Sequence, residues 1–582
     1  MIKKMKKIIL SISLSLLLLS CSNKEAVVTE VELNARFETY KDYFVNELWK
    51  INPEWASSQG FHKYDSVLLI PTDENDRIQM KFAESQLDSL KKFPFEQLSD
   101  HNRTDVQMMQ NLLNSFLFSL NEMKSNQWNP SQYNVCGAFA EILNGNYDSL
   151  ENRLRDFDLK MNTIPAYYEA AARNLKNPTI EHTQLAIAQN LGGLSVFKED
   201  LRVALSKSKW NEEQKESVVE KAARSIEAIE NYADFLTKMD QSSPRSFRLG
   251  AELYTKKFDL DIQSSYSAEE IYQKALQEKK VLHTKMFTLA DKLWSKYLPN
   301  LKKPADKLEL IRQVIDKISL QHTTPEKFQS EIEKQIPELV AFVKEKDLLY
   351  IDPSKPLVVR KEPDYMAGVA GASVSAPGPY DKNANTYYNV GSLAGWSAAD
   401  AESYLREYND YILQILNIHE AIPGHYTQLV YANQSPSIIK SILGNGAMIE
   451  GWAVYTEIMM LESGYKNSDE MWLMYYKWNL RTVCNTILDN SVHTRNMTKD
   501  EALHLLTKEA FQQNAEAEGK WKRATLSQVQ LCSYFTGYTE IYAFREALKK
   551  KQGAKFNLKQ FHEKFLSYGS APVKYIKELM DQ

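Results

Sequence analysis

Cysteine is scarce in this chain of 582 residues. There are four, and Cys21 closes the N-terminal apolar run. The others, Cys136, Cys484 and Cys532, are an odd number at wide spacings. They define no disulfide framework and no cysteine-rich metal site, and read as small buried hydrophobes. Net charge is also slight, −4 with both signs mixed throughout. That excludes the electrostatic footprint of a nucleic-acid binder or of a partner for acidic polymers. Glycine and proline are few and gather in one region, no period marks a repeat array, and no segment is of low complexity.

What is present begins with a targeting segment. Lys3, Lys4, Lys6 and Lys7 precede an apolar core from Ile8 to Leu19, too short for a comfortable membrane span. It ends Leu18-Leu19-Ser20-Cys21, which resembles a bacterial lipobox. Residues 1–20 are therefore expected to be a signal peptide, Cys21 the lipidated N-terminus, and residues 21–29 a polar tether. The mature protein is expected in the cell envelope, held to a membrane, the outer one first, through that lipid.

From Val31 to Lys346 the apolar residues recur at three- and four-residue steps, as in Leu33, Phe37, Tyr40, Phe44 and Leu48. Ser267 with Glu270 three residues on reads as a capping box, and Pro325 suits a first helical position. Residues 30–350 are expected to be a helical region walling a cleft, and 351–582 the region that carries the chemistry. Only Leu357 to Val390 changes character. It offers strands at residues 356–360 and 386–390, with a small, extended, proline-terminated stretch from Gly368 to Pro379 between them. The fold class expected is mainly α, with a small sheet inserted before the helices that follow.

Those helices carry the chemistry. His419-Glu420-Ala421-Ile422-Pro423-Gly424-His425 holds two imidazoles with a glutamate beside the first. Two imidazoles and a carboxylate are a ligand set for catalytic zinc, and Glu420 is placed to take a proton from water there. The spacing is i,i+6, about 240° around an unbroken helix, so the metal reading requires a local break. Pro423 and Gly424 supply one. Otherwise the helix ends at Ile422 and His425 begins something unrelated. Ala398 to Asn417 reads as one helix, capped by Ser397 and running into His419. Met448 to Glu462 is the next, with Glu450 and Glu457 on one face. Periodicity allows either carboxylate to reach the metal. Met471 to His493 follows, with Arg481, Asp489 and His493 in one stripe. Such a stripe suits a substrate terminus or developing charge, or else a surface ion pair of about 0.3–0.5 kcal/mol.

The heptapeptide from His419, together with Glu450-Gly451-Trp452-Ala453-Val454-Tyr455-Thr456-Glu457, resembles the bacterial domain-of-unknown-function 885 family, grouped with gluzincin-type metallopeptidases. Asp489-Asn490-Ser491-Val492-His493 resembles the family's Asp-Thr-Gly-Ile-His segment, and Gln530 to Gly537 its Gln-Ala-x-x-Tyr-x-x-Gly segment. Met497 and Asn485 depart from the pattern, standing where Trp and Arg are usual. The resemblance implies one zinc ion on His419, His425 and Glu450, with Glu420 as general base. It implies Tyr534 and His493 as oxyanion donors and favours the functional reading of Asp489, so that Asp489, with Arg481 from the same stripe, is expected to bind substrate. It also gives the sheet a task, pairing an edge strand with an extended substrate that approaches past Gly371 and Ala372. Glu457 then has two readings, a solvated face residue, which is the commoner case, or a carboxylate fixing an imidazole tautomer. The activity implied is zinc-dependent hydrolysis of peptide bonds, and a cleft roofed by helices favours short peptides, so an oligopeptidase or exopeptidase is expected. Its alternatives are a metallohydrolase of esters or lactones, and a lipid-anchored binding protein without turnover.

Overall fold

The computed structural model describes residues 29–239, 241–355, 357–362, 372–381 and 385–581. The expected signal peptide, Cys21 and Gly371 lie outside the described residues. The architecture is mainly α with one three-stranded sheet.

Helix α1 (Glu30–Ile51) opens on a capping box between Thr29 and Glu32 and buries Leu33, Phe37, Phe44 and Leu48 along one stripe. Helix α2 (Ala268–Tyr297) opens on the expected box of Ser267 and Glu270. Pro325 starts a short 3₁₀ turn that leads into α3 (Phe328–Glu345). Packing does not divide at residue 350. One hydrophobic core runs from Leu33 to Leu579. A second, separate cluster is confined to the N-terminal half, around Phe157, Ile164, Leu201 and Ile229. The expected boundary therefore cuts through a shared core, because α2 lies along a helix of the C-terminal half.

Strands β1 (Leu357–Lys361), β2 (Ala372–Ser375) and β3 (Thr386–Val390) form the sheet in the order β1-β3-β2. β1 runs parallel to β3, and β2 antiparallel to it with Ala372 opposite Val390. β3 takes the centre because Tyr388, Asn389 and Val390 are buried, while β1 and β2 are half-exposed. Tyr388 Oη donates to Asn417 Oδ1 at 2.8 Å, and Asn417 Nδ2 to Gln335 Oε1 of α3 at 2.6 Å. The sheet is thus tied to the chain two residues before His419.

The single helix expected from Ala398 to Asn417 is two, α4 (Ala398–Glu407) and α5 (Asp410–Glu420). The break is at Asn409, whose side chain accepts from the N–H groups of Tyr411 and Ile412 at 3.2 and 3.3 Å. Asparagine competes with the helix ladder in this way and favours a cap over a helix interior. Ser397 caps α4 as expected.

Helices α6 (His425–Asn433), α7 (Gly446–Glu462), α8 (Asp469–Thr494), α9 (Asn514–Leu526) and α10 (Ser533–Gln552) complete the surroundings of the site. α7 and α10 cross almost backbone to backbone. A Cβ on Gly537 would overlap the carbonyl oxygen of Ala447, and one on Gly451 would overlap Gly537. This approach sets Glu450, the residue before Gly451, against the helix that carries Tyr534.

Candidate metal centre

The two histidines sit on consecutive helices. α5 ends at Glu420, the Ile422–Pro423 peptide is cis, and α6 starts at His425. The last turn of α5 is tight, with the N–H groups of Ala421 and Ile422 both donating to Asn417 O at 3.0 and 3.2 Å. Gly424 is required there for space, since a Cβ would overlap the carbonyl oxygen of His419. Trp452 Nε1 donates to Pro423 O at 2.9 Å and fastens the junction to α7. Both sequence readings therefore describe part of the outcome. The helix does end, and the chain folds back so that the imidazoles meet, with ring centroids 4.7 Å apart at 88°.

Glu450 completes the set. Its Oε2 lies 3.4 Å from His425 Nε2 and 3.7 Å from His419 Nε2. That oxygen is shielded from solvent and accepts no hydrogen bond among the described residues. An unsatisfied buried carboxylate oxygen is costly unless something else bridges it. A tetrahedral ion with bonds of about 2.0–2.2 Å separates its ligand atoms by about 3.3–3.6 Å, so the spacing and the missing hydrogen bond fit a shared cation. Glu420 also brings an oxygen within 4.8 Å of both rings. Glu450 is the better third ligand because its oxygen is closer to both nitrogens. The Glu420 carboxylate accepts no hydrogen bond among the described residues, and burial raises its pKa.

Glu457 is no solvated face residue. It is fully buried and accepts from His419 Nδ1 at 2.7 Å and from Trp478 Nε1 at 3.0 Å. It thereby turns His419 Nε2 toward Glu450, the arrangement by which a carboxylate fixes a ligand imidazole. The signal for this was in the sequence. α7 is apolar on every side, from Trp452 through Leu461, and a glutamate in such a helix must be paired.

Burial alone would lower the pKa of His419, but Glu450 and Glu457 on its two nitrogens raise it to about 10. In the metal-free protein the ring holds a proton that an incoming ion must displace. Because the pKa is raised, that competition persists above the ordinary imidazole range. The apparent zinc affinity should therefore go on climbing above pH 7, by up to about tenfold per pH unit. An ordinary imidazole would let it level off above about 6.5. Calorimetric titration in buffers of different ionisation enthalpy measures the protons released, and a plateau above pH 7 would contradict the paired geometry.

Tyr534 flanks the centre with its ring 6.4 Å from that of His419 and nearly parallel to it. Its hydroxyl accepts from Arg523 Nη2 at 3.1 Å. Burial, reinforced by the charge of Glu450, pushes the phenol up to about 12, so it stays a hydrogen-bond donor at neutral pH.

A family model described as "Bacterial protein of unknown function (DUF885)" matches residues 53–580. The chain belongs to this family. A solved structure from Shewanella oneidensis, described as "a putative lipoprotein of unknown function", is 51% identical, with a TM-score of 0.84 over 94% of this chain and 100% of that one. A crystal structure described as "the putative lipoprotein from Colwellia psychrerythraea" shares the fold at 17% identity, with a TM-score of 0.77 over 95% of this chain and 99% of that one. No curated protein matches.

In this DUF885 protein the expected stripe on α8 does not act as a unit. His493 is buried, and its Nε2 donates to the carbonyls of Ala524 and Ser527 at 2.9 and 3.1 Å. Burial pushes it down to about 4. It has no donor left for an oxyanion, and its work is to pin the end of α9. Asp489 is also buried, accepting from Tyr254 Oη at 3.1 Å, so it faces no substrate. Both assignments fail because the face of α8 that carries them is turned into the core. Arg481 is apart from those two, stacked on Trp478 at 4.9 Å and paired with Glu516 of α9 at 2.5 Å. Ala372 begins edge strand β2, which touches α5. The three cysteines are free and buried, as expected. Trp478 and Arg523 went unread, since a tryptophan and an arginine at helical spacing carry no distinguishing signal.

Proposed function

We propose that this protein is a lipid-anchored metallopeptidase of the cell envelope that hydrolyses short peptides. The observation that carries this reading is the shielded oxygen of Glu450, facing two imidazole nitrogens with no hydrogen bond while Glu457 holds one of those rings from behind. His419, His425 and Glu450 would hold a single zinc ion. That ion would supply Lewis acidity at the scissile carbonyl and lower the pKa of water.

The remaining work falls to the chain's own side chains. Glu420, unpaired and with its pKa raised by burial, accepts a proton from the attacking water and passes it to the leaving amine. Tyr534, kept protonated and steadied by Arg523, donates to the developing oxyanion. Glu457 and Trp478 keep His419 in one tautomer. A peptide fits better than an ester because β2 is an edge strand among the described residues, beside α5. An extended main chain can pair with such an edge. Anchoring at Cys21 is supported by the Leu-Leu-Ser-Cys sequence and by the two structural neighbours described as lipoproteins. The outer membrane is the site we favour.

The test is metal analysis of the purified protein, followed by digestion of a peptide mixture read by mass spectrometry, with alkyl esters and lactones assayed in parallel. About one zinc per chain and cleaved peptides are expected. A metal-free preparation that cannot be loaded, or turnover of esters alone, refutes the reading.

A further inference from the structure

Beside the candidate centre lies a group of charges that do not balance. Lys477 and Arg481 on α8 and Lys520 and Arg523 on α9 share their surroundings with two carboxylates, Glu407 and Glu516. Glu407 is committed to Lys477 at 2.9 Å, both side chains being almost fully buried, and also accepts from the Gln513 N–H at 3.3 Å. Glu516 is committed to Arg481 at 2.5 Å. What remains is cationic. Lys520 is 5% exposed, makes no hydrogen bond among the described residues, and has Glu516 as its one carboxylate within 4 Å, at 3.9 Å. Arg523 gives its hydrogen bonds to neutral acceptors, Gln530 Oε1 at 2.7 Å and Tyr534 Oη at 3.1 Å. Arg481 Nη1 is buried with no hydrogen bond among the described residues that meets ordinary geometry, and the Tyr408 phenol is a polar neighbour of its guanidinium.

A buried cation that must share its one nearby carboxylate, as Lys520 shares Glu516 with Arg481, is expensive to keep. Burial, with the charge of Arg481 next, pushes the Lys520 ammonium down to about 7, in keeping with that shortage. The group adjoins the centre on two sides. Arg481 stacks on Trp478, which donates to Glu457 behind His419. Arg523 holds the hydroxyl of Tyr534. An anion drawn to these cations would therefore be held next to the scissile bond.

We propose that Lys520, Arg523 and the Nη1 edge of Arg481 bind the C-terminal carboxylate of the peptide substrate, making the protein a carboxypeptidase that removes C-terminal units of constant length. This rests on the peptidase reading above and specifies its substrate class. A terminal carboxylate carries the single negative charge and the paired acceptors that two or three neighbouring cations call for. An N-terminal amine would be repelled there. Fragment length is set by the fixed distance from the cations to the centre.

The test compares a hexapeptide of alanine and phenylalanine as free acid and as C-terminal amide, on the zinc-loaded full-length protein. An N-acetylated acid serves as control. Amidation should lower kcat/KM by about 10–100-fold, the usual value of a charged hydrogen bond, and N-acetylation should change it little. Products should share one C-terminal fragment length. Lys520→Met should raise KM for the acid and so narrow the gap between acid and amide. Equal cleavage of acid and amide overturns the proposal while leaving a peptidase. Binding of acid and amide to Glu420→Gln, measured by calorimetry, separates the two readings. Preference for the acid without any turnover by the parent protein upholds the carboxylate site and removes the peptidase. Equal binding of the two removes the site.

Discussion

Glu420→Gln is expected to keep its zinc and lose turnover by about 10²–10⁴-fold, the contribution of a positioned general base. His419→Ala is expected to lose the zinc. The two side chains are adjacent in sequence and both stand within reach of the same point, so proximity does not separate them. Their partners do. His419 has Nδ1 committed to Glu457 and Nε2 turned toward Glu450. Its removal would take away one of the three proposed ligands and leave the buried Glu457 with Trp478 Nε1 as its remaining donor among the described residues. Glu420 has no partner among the described residues to fix it as a ligand, and its pKa is raised by burial. Glutamine at 420 keeps the shape and removes only the basicity. Metal content by elemental analysis and turnover on one peptide decide the matter together. Zinc loss in Glu420→Gln would make Glu420 a ligand, and near-normal turnover would remove it from the chemistry.

Gly537→Ala is expected to destabilise the fold by about 3 kcal/mol or more, at the upper end of what overpacking costs. It should also weaken zinc binding. The added methyl meets the backbone carbonyl of Ala447, which has no rotamer to escape into. α7 and α10 must separate, and α7 carries both Glu450 and Glu457. Gly519→Ala is the control. It lies exposed in α9 with nothing near its Cβ position, and alanine there should stabilise by up to about 1 kcal/mol. Denaturant unfolding of the three proteins, with zinc titrations, gives both quantities. Parental stability and metal affinity in Gly537→Ala would refute the close-approach account.

Much of this was legible in the sequence. The meeting of the two histidines could be read because His419, Pro423, Gly424 and His425 are chemically specific, and the helix types because periodicity survives in any order of packing. What could not be read depends on which face of a helix turns inward. His493 and Asp489 looked like a functional stripe until α8 proved buried on nearly every side. Glu457 looked solvated when taken alone and paired when its helix is seen whole. Asn409 is a plain capping signal, overlooked because the apolar pattern carries on across it. Trp478, Arg523 and Lys520 gain their meaning from neighbours far away in the chain.

The two glycines at the α7–α10 crossing also bear on the order in which the protein is assembled. Residues 419 to 450 are one short stretch of chain, but the helix that carries Glu450 is seated backbone to backbone against a helix about eighty residues further on. On the metal reading proposed above, the ligand atoms would take their final spacing only with that later helix in place, unlike a zinc finger, whose metal organises the fold. An ion would then be taken up by a scaffold already packed, and its removal would be expected to leave the fold standing.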